Sequence, residues 1–367
     1  YFFRTISGTF LLTHPEKLNK ITAVYRGNGP MFSPWKENIS FDDFLLEEAG
    51  KKGVKIFHER VDEIEIPGRR DERVRITSAG NGRSPEFDLV VGAFGLNTGI
   101  INKIKNLNFG YKPPKTLKVC QTELFLGSDI IRETFGNNIY TINAGIKDIR
   151  FAAIIPKDDF ITISLIGMNN IEKRHLIQFL QSEPMRALLP DRWEIPETLC
   201  FCHPRIATTP AKNPFTDRFV IIGDPSYSRY YKNGIESALI TARAAAWTAF
   251  HRGISRDDFK RFYYKKVRDQ IIRDNYYGRL LFRLNDFISR RKFIVEIHQK
   301  IGQSEGYTAE IMKSILWNMF TGNIEYKKIF LRTLNPVLQM KIFITMIETS
   351  LSKISNFITA RIFRKAD

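Results

Sequence analysis

The segment from Phe219 to Ala238 sets the tightest limit on what this chain can fold into. Phe219-Val-Ile-Ile222 is a continuous apolar run, the pattern of a strand buried on both faces. Gly223-Asp224 ends it, and after a loop Asn233, Gly234 and Ala238 open a helix with six alanines between Gly234 and Phe250. Alanine favours the helix, and its small side chain lets the helix lie close to a sheet or a ligand. A strand that stops at Gly-Asp and returns as a small-residue helix suits a ligand held at the sheet's edge. The carboxylate accepts hydrogen bonds from hydroxyls, and the helix start offers unpaired N–H groups to an electron-rich oxygen.

At 367 residues the chain can bury one large core or two unequal ones. Apolar residues at 43% and aromatic residues at 13% argue against wholesale disorder. The 29 phenylalanines fill cores first, and a wide apolar pocket could use some of them. Basic residues outnumber acidic ones, 56 to 39, and 12 of the 17 excess charges lie between His251 and Asp367. Such a third is either a solvated basic surface or one that attracts anionic lipid or an acidic partner. Nucleic acid is not expected, because zinc-finger spacing, an aromatic RNA-binding signature and a basic zipper are all missing.

Cys120, Cys200 and Cys202 do not make a disulfide framework and fit a reducing, cytoplasmic compartment. Cys200-Phe-Cys202-His203 lacks a second donor cluster, so no metal is expected. No apolar run reaches eighteen residues, so the sequence predicts no transmembrane helix and leaves a peripheral position at a membrane open. The first residues are neither a signal peptide nor a Met-initiated start, so further residues are expected ahead of Tyr1.

Ser40 or Asp42 caps a predicted helix that runs to Lys52, with Phe41, Phe44, Leu45 and Ala49 as its apolar stripe and Gly53 as its stop. Strand pattern covers 54–66, then 73–78 after a charged turn from Gly68 to Glu72, then 87–92. The middle reads as strands at 117–126, 138–144, 150–155 and 160–167, with a turn at Pro156-Lys-Asp-Asp159 and a helix over 171–182. From Gly234 onward the pattern is helical, including a long amphipathic stretch from Asp257 to Phe293. Met340, Ile344, Ile347, Leu351, Ile354 and Ile358 recur in steps of four and three, on one helical face. That face is either packed core or a surface for lipid or a partner.

In the order Gly223-Asp224, Asn233-Gly234-Ile235 and the Ala238 helix, the chain resembles a flavoprotein superfamily. That superfamily contains geranylgeranyl reductases and para-hydroxybenzoate-hydroxylase-like monooxygenases. The resemblance implies FAD, with Asp224 on a ribityl hydroxyl and the Gly234 helix start against the isoalloxazine ring; Gly223 and Asn233 complete the set. Asp88-Leu-Val-Val-Gly-Ala-Phe-Gly95 is similar to the family's second cofactor-domain motif, which implies a cofactor-side turn at Gly95. Phe94 stands where the family usually has Asp or another polar residue. Ile149-Arg-Phe-Ala-Ala-Ile-Ile-Pro156 resembles the substrate domain of the geranylgeranyl-reductase branch. The family's Gly-x-Gly-x-x-Gly turn for the ADP diphosphate has no counterpart here, so the resemblance puts it ahead of Tyr1 or on a separate chain.

The implied architecture is α/β plus an antiparallel β substrate domain: an FAD/NAD(P)-binding-like fold with a helical C-terminal region. Its expected parts are a partial FAD-binding domain (1–110), an inserted β-rich substrate domain (111–204), a return to the FAD-binding domain (205–250) and a basic helical region (251–367). The implied function is an FAD-dependent oxidoreductase that reduces C=C bonds in an isoprenoid or another bulky apolar small molecule. A flavin-dependent aromatic monooxygenase and a cofactor-free interaction or membrane-binding protein are the alternatives. NAD(P)H or a reduced electron-donor protein would refill the flavin, and an anionic membrane surface is a further expected partner. Tyr227, Tyr230 and Tyr231, in the loop beside the inferred flavin helix, are substrate-side candidates, and no residue is assigned as the catalytic acid or base.

Overall fold

Val90–Gly92 and Phe219–Ile221 run parallel, Phe219 beside Val90 and Ile221 beside Gly92, so the two segments that carry the motifs are neighbours in one sheet. Phe215–Thr216 closes this small sheet on its other side, antiparallel to Phe219–Ile221. The computed structural model describes residues 2–5, 8–11, 40–66, 68, 72–78, 84–96, 99–231 and 233–363, with side chains from 40 to 356. The expected turn from Gly68 to Glu72 therefore lies largely outside the described residues, as does the side chain of Ile358.

The chain divides into two units. One comprises Ala23–Val119 and Cys202–Tyr276, the other Tyr1–Thr22, Cys120–Phe201 and Tyr277–Asp367. Of the strand-rich middle, Cys120–Phe201 belongs to the second of these units. Thr116–Lys118 pairs with Arg205–Ala207, across the join, while Cys120–Phe125 pairs with Phe160–Gly167. The basic helical block is also shared rather than separate. Phe259, Tyr263, Val267 and Ile271 are fully buried in the core of the unit that holds Gly223-Asp224.

In that unit, Phe219 and Ile221 pack with Val74, Val90, Ile104 and Tyr111, while Val220 faces Phe215, Ala244, Phe259 and Tyr263. Both faces of the strand are covered, which explains its unbroken apolar run. The expected strand over 87–92 is two strands, because the chain passes between sheets: Glu86–Phe87 pairs with Val74 and Arg75, whereas Val90–Gly92 joins the parallel pair. Among the described residues, Val61–Glu65 is the part of the 54–66 stretch that forms a ladder, with Val74–Ser78. The helix Phe41–Lys51 starts where expected, with the Ser40 hydroxyl accepting from the Asp43 N–H at 3.0 Å, yet none of its residues is buried.

The stretch after Ser255 contains π-helical turns at Phe259–Tyr264 and Arg268–Ile272. Its buried residues recur every four positions. On a regular α-helix each such step over-rotates by about 40°, and the wider π turns take up that surplus.

The other unit is built on a seven-stranded sheet that includes Cys120–Phe125, Phe160–Gly167, Ile149–Pro156 and Tyr140–Ile142 as antiparallel neighbours. Phe2–Thr5 adds parallel to Tyr140–Ile142 and pairs with Gly8–Leu11 as a hairpin. Ile161, Ile163 and Leu165 line up with Ile154 and Ala152 and pack under Leu176, Phe179 and Leu180 of the helix Lys173–Leu180. The alternate positions are polar: Thr162 lies across from Glu123, and Ser164 from Gln121. Period-two alternation therefore gives this sheet one dry face and one polar face.

Helices Lys292–Gln303, Tyr307–Thr321 and Pro336–Phe363 pack together in the same unit. The last helix docks through Leu338, Thr345 and Thr349, with Lys300 Nζ donating to Thr349 Oγ1 at 3.1 Å and Lys353 paired with Glu296 at 2.7 Å. Met340, Ile344, Ile347, Leu351 and Ile354 are 41–61% exposed, so the packed-core alternative for this stripe does not hold. The polar threonine face took the interior position instead.

Arg150 of the sheet makes a bidentate ion pair with Asp286, both bonds 2.7 Å, with 6% and 17% of the two side chains exposed. Its guanidinium also lies 5.3 Å from the centroid of the buried Phe282 ring. Asp286→Ala should destabilise this unit by about 3–5 kcal/mol, because a charge that stays buried loses its partner. Asp286→Asn should fall between the two, and urea unfolding of the three proteins measures the order.

Candidate functional site

Gly223 follows the parallel strand with φ of +70°, a conformation open to glycine without strain, and so turns the chain sharply at the strand's carboxyl end. Crevices outside the carboxyl ends of parallel strands are where open α/β sheets hold ligands. The turn is fixed by hydrogen bonds on every side. The Gly223 N–H donates to Thr241 Oγ1 at 2.8 Å, and the Gly223 carbonyl accepts from the N–H groups of Ser226 and Tyr227 at 2.9 and 3.0 Å. Tyr263 donates its hydroxyl to the Ile221 carbonyl at 2.9 Å, and Tyr111 donates to the Pro225 carbonyl at 2.7 Å. Burial pushes the phenols of Tyr111, Tyr227 and Tyr263 above their ordinary range, so these hydroxyls stay protonated.

Within this frame Asp224 stands out. Its Oδ1 is buried and accepts no hydrogen bond from any described residue. A Cβ placed on Gly234 would lie 3.6 Å from both Asp224 carboxylate oxygens, so the glycine keeps the space beside the carboxylate open. Asn233 caps the helix Gly234–His251 from the left-handed region, at φ of +54°, and its side chain accepts from the Glu236 N–H at 3.2 Å. The loop between is tied at both ends. Asn275 accepts from the Tyr230 N–H and donates to the Ser228 carbonyl, both at 2.8 Å, and Arg229 pairs with Glu236 at 3.1 Å and Asp274 at 3.5 Å.

Gly223, Asp224, Asn233 and Gly234 are thus gathered at one strand end. Gly95 sits on the loop that leaves the neighbouring parallel strand, at φ of +62° with open space where a side chain would stand. Phe94 has folded back: its ring fills the place of a Gly92 side chain, 2.6 Å from where the Cβ would be, and joins the apolar cluster around Ile104. An aromatic ring in place of a polar residue here serves packing.

The three loop tyrosines separate. Tyr227 is 2% exposed and lies in the core, its ring 6.1 Å from Tyr263 and 5.9 Å from Tyr264. Its N–H donates to the Gly223 carbonyl, and its ring packs in the core of that unit. Tyr230 and Tyr231 meet edge to face at 4.5 Å, with Tyr231 buried at φ of +64° and Tyr230 half-buried. Tyr111, Thr241, Tyr263 and Asn275, which fix the turn, were not legible as site residues. Thr241 alone carried a signal, since it continues the face of Gly234 and Ala238 at helical spacing.

The turn suits a ligand that carries hydroxyls on a slender chain, as the ribityl chain of FAD does. A buried acceptor with no donor among the described residues matches a sugar-alcohol hydroxyl, and the glycine opening beside it leaves room for a ligand chain. Asp224 and Gly234 are the residues that would hold it.

No protein-family model matches the sequence, and no curated protein matches it. Among solved structures, the chain is similar to a flavoprotein/dehydrogenase from Cytophaga hutchinsonii, at 15% identity and TM-score 0.55, over 84% of this chain and 74% of that one. It is also similar to a geranylgeranyl bacteriochlorophyll reductase-like protein from Thermoplasma acidophilum, at 13% identity and TM-score 0.55, over 75% and 70%. The flavin-dependent halogenase CmlS matches at 16% identity and TM-score 0.50, over 81% of this chain and 58% of that one. At these identities the likeness is one of fold: the chain shares the mixed α/β architecture, with antiparallel sheet and helical C-terminal part, of solved flavoproteins.

Thr241→Val keeps the shape of the side chain and removes the acceptor for the buried Gly223 N–H. It should cost about 1–3 kcal/mol of stability, the penalty of an unsatisfied buried donor. Thr241→Ser should recover most of the loss, as read from thermal and urea midpoints.

Proposed function

We propose that this chain is an FAD-dependent oxidoreductase that reduces C=C bonds in an isoprenoid or another bulky apolar molecule. The observation that carries the proposal is the buried Asp224 Oδ1, which has no donor among the described residues and lies beside the opening kept by Gly234. FAD, when bound, supplies the redox chemistry. Asp224 accepts a ribityl hydroxyl, and Gly234 lets the backbone approach the ring closely. The helix start at Gly234 favours negative charge on its ligand through the helix dipole. NAD(P)H or a reduced protein is the external donor. The reductase branch is favoured by the likeness of the Ile149–Pro156 strand and its neighbours to that branch's substrate domain.

Purified full-length protein should bind one FAD, and Asp224→Ala should weaken binding by about 1–3 kcal/mol by removing a charge-assisted acceptor. Gly234→Ala, whose Cβ makes only ordinary contact with the carboxylate, should leave folding intact and also lower FAD affinity. Fluorescence titration with FAD measures both. Turnover of a long unsaturated apolar compound without oxygen is the expected activity. Hydroxylation that requires oxygen, with no anaerobic turnover, would favour the monooxygenase alternative, and failure to bind FAD would favour the cofactor-free one.

We further propose that the protein works in the cytoplasm at the face of an anionic membrane. No helix among the described residues is long and apolar enough to cross a membrane. The Met340–Ile354 stripe is exposed, and the basic excess beyond His251 supplies attraction. Binding to anionic vesicles should exceed binding to neutral ones, fall as salt rises, and drop further in Ile347→Glu/Leu351→Glu. Equal binding to neutral and anionic vesicles would contradict it.

A further inference from the structure

In the unit that holds Gly223-Asp224, a solvent-open groove of about 550 Å³ runs between the helix Gly234–His251 and the segment 259–272 packed along it. Arg243 from the helix and Arg261, Lys265 and Lys266 from the segment all line it. Among the described residues none of these four cations has an ion pair. The one carboxylate in the wall, Asp269, is taken by Arg268 at 3.2 Å and Arg273 at 3.0 Å, neither of which lines the groove. Four positive charges therefore share one hollow without a counter-charge, an arrangement that self-repulsion opposes and a bound anion would relieve.

The fold aims these side chains through an irregular wall. Both π-helical turns of the segment contribute to it, Arg261 and Phe262 from the first and Asp269 and Gln270 from the second. Turns widened in this way recur at functional sites. Between the charges the wall is apolar, with Ile240, Ala244, Trp247 and Phe262. The Trp247 and Phe262 rings meet at 6.2 Å, and the Arg252 guanidinium lies 5.3 and 5.0 Å from their centroids, which holds the pair in place. Trp247 is still 46% exposed.

The volume is that of a small-molecule site, which spans about 300–1,000 Å³. A hydrocarbon would leave the four charges unmatched, and a bare inorganic anion would leave the aromatic wall wet. Guanidinium forks and ammonium groups together are the side chains that grip phosphate oxygens. Two linked phosphates spread negative charge over several cations at once, which a single carboxylate does not. We propose that this groove is a binding site for an organic diphosphate. Its phosphates meet Arg243, Arg261, Lys265 and Lys266, and its ring or apolar chain lies on Trp247 and Phe262. Arg243 stands about 14 Å along the helix from Gly234, so the groove is set apart from the Asp224 turn. The proposal therefore stands without the flavin assignment and needs no turnover.

The test titrates full-length protein by calorimetry at low salt with ADP, octyl diphosphate, inorganic pyrophosphate and adenosine. At least one organic diphosphate should bind about tenfold more tightly than pyrophosphate, which lacks the body, and than adenosine, which lacks the charge. The tighter of the two distinguishes a ring-bearing source from a chain-bearing one. Binding should be the same with saturating FAD and in Asp224→Ala. Arg243→Gln/Lys265→Gln, at two exposed positions, should weaken it about tenfold or more through lost charge-assisted contacts, with a thermal midpoint no lower than wild type. Lys260→Gln removes an exposed cation outside the wall and should change binding little. Pyrophosphate binding as tightly as both organic compounds, binding abolished by saturating FAD, or affinity unchanged in the double variant would each overturn the proposal. So would tighter binding of a mixed-sequence RNA than of either compound, or no binding of either.

Discussion

A carboxylate oxygen taken out of water without a donor is expensive, on the order of 1–3 kcal/mol or more for a charged group, and the Gly223-Asp224 turn carries one that no described residue satisfies. The surroundings hold it there. Gly223 adopts the left-handed region, Thr241 takes its N–H, and Tyr263 and Tyr111 clamp the strand end and the turn from two sides. A rigid frame around one unsatisfied acceptor is how a fold reserves a position for a ligand's hydroxyl. The buried aromatic cluster of Phe215, Phe259 and Tyr263 and the closely packed alanine helix all serve to keep that turn in place.

The second unit follows a different logic, in which apolar surface is left in excess. Its sheet buries one face under Leu176, Phe179 and Leu180, and its last helix turns threonines inward and leaves Met340, Ile347 and Leu351 outside. The same helix contributes Leu338 and Ile342 to the wall of a hollow lined mostly by apolar side chains. An exposed stripe and an apolar-lined hollow on one helix are both surfaces that the proposed contact with apolar molecules would use. Contiguous apolar surface of that kind is uncommon on a protein that meets only water.

Much of this was legible in the sequence where local physics decides the outcome. The unbroken Phe219–Ile222 run, the Gly-Asp stop and the alanines fixed a two-sided strand, a turn and a helix, and Ser40 fixed a helix start. Strands were readable at 160–167 and 150–155, the second observed as Ile149–Pro156, because alternation and the Pro156–Asp159 turn agree. Legibility ended where the outcome depends on distant partners. The 54–60 stretch has strand composition but pairs with no described strand, and the burial of Tyr227 is set by core partners that sequence does not show. Tyr111 and Tyr263 reach the site from 114 and 42 residues away, so no local pattern could announce them. The split of the basic helices between units was hidden for the same reason, since it rests on which core Phe259 and Ile271 enter.

If Asp224 is kept for a ligand and not for the fold, it should weaken the protein that carries it. Thermal unfolding of wild type and Asp224→Ala, each with and without saturating FAD, tests this most directly. Without FAD the variant should be as stable as wild type or more so, because an unsatisfied buried oxygen has gone. With FAD the wild type should gain stability by mass action and the variant should gain markedly less. A variant that is destabilised without FAD, and that gains as much from FAD as the wild type does, would contradict the account.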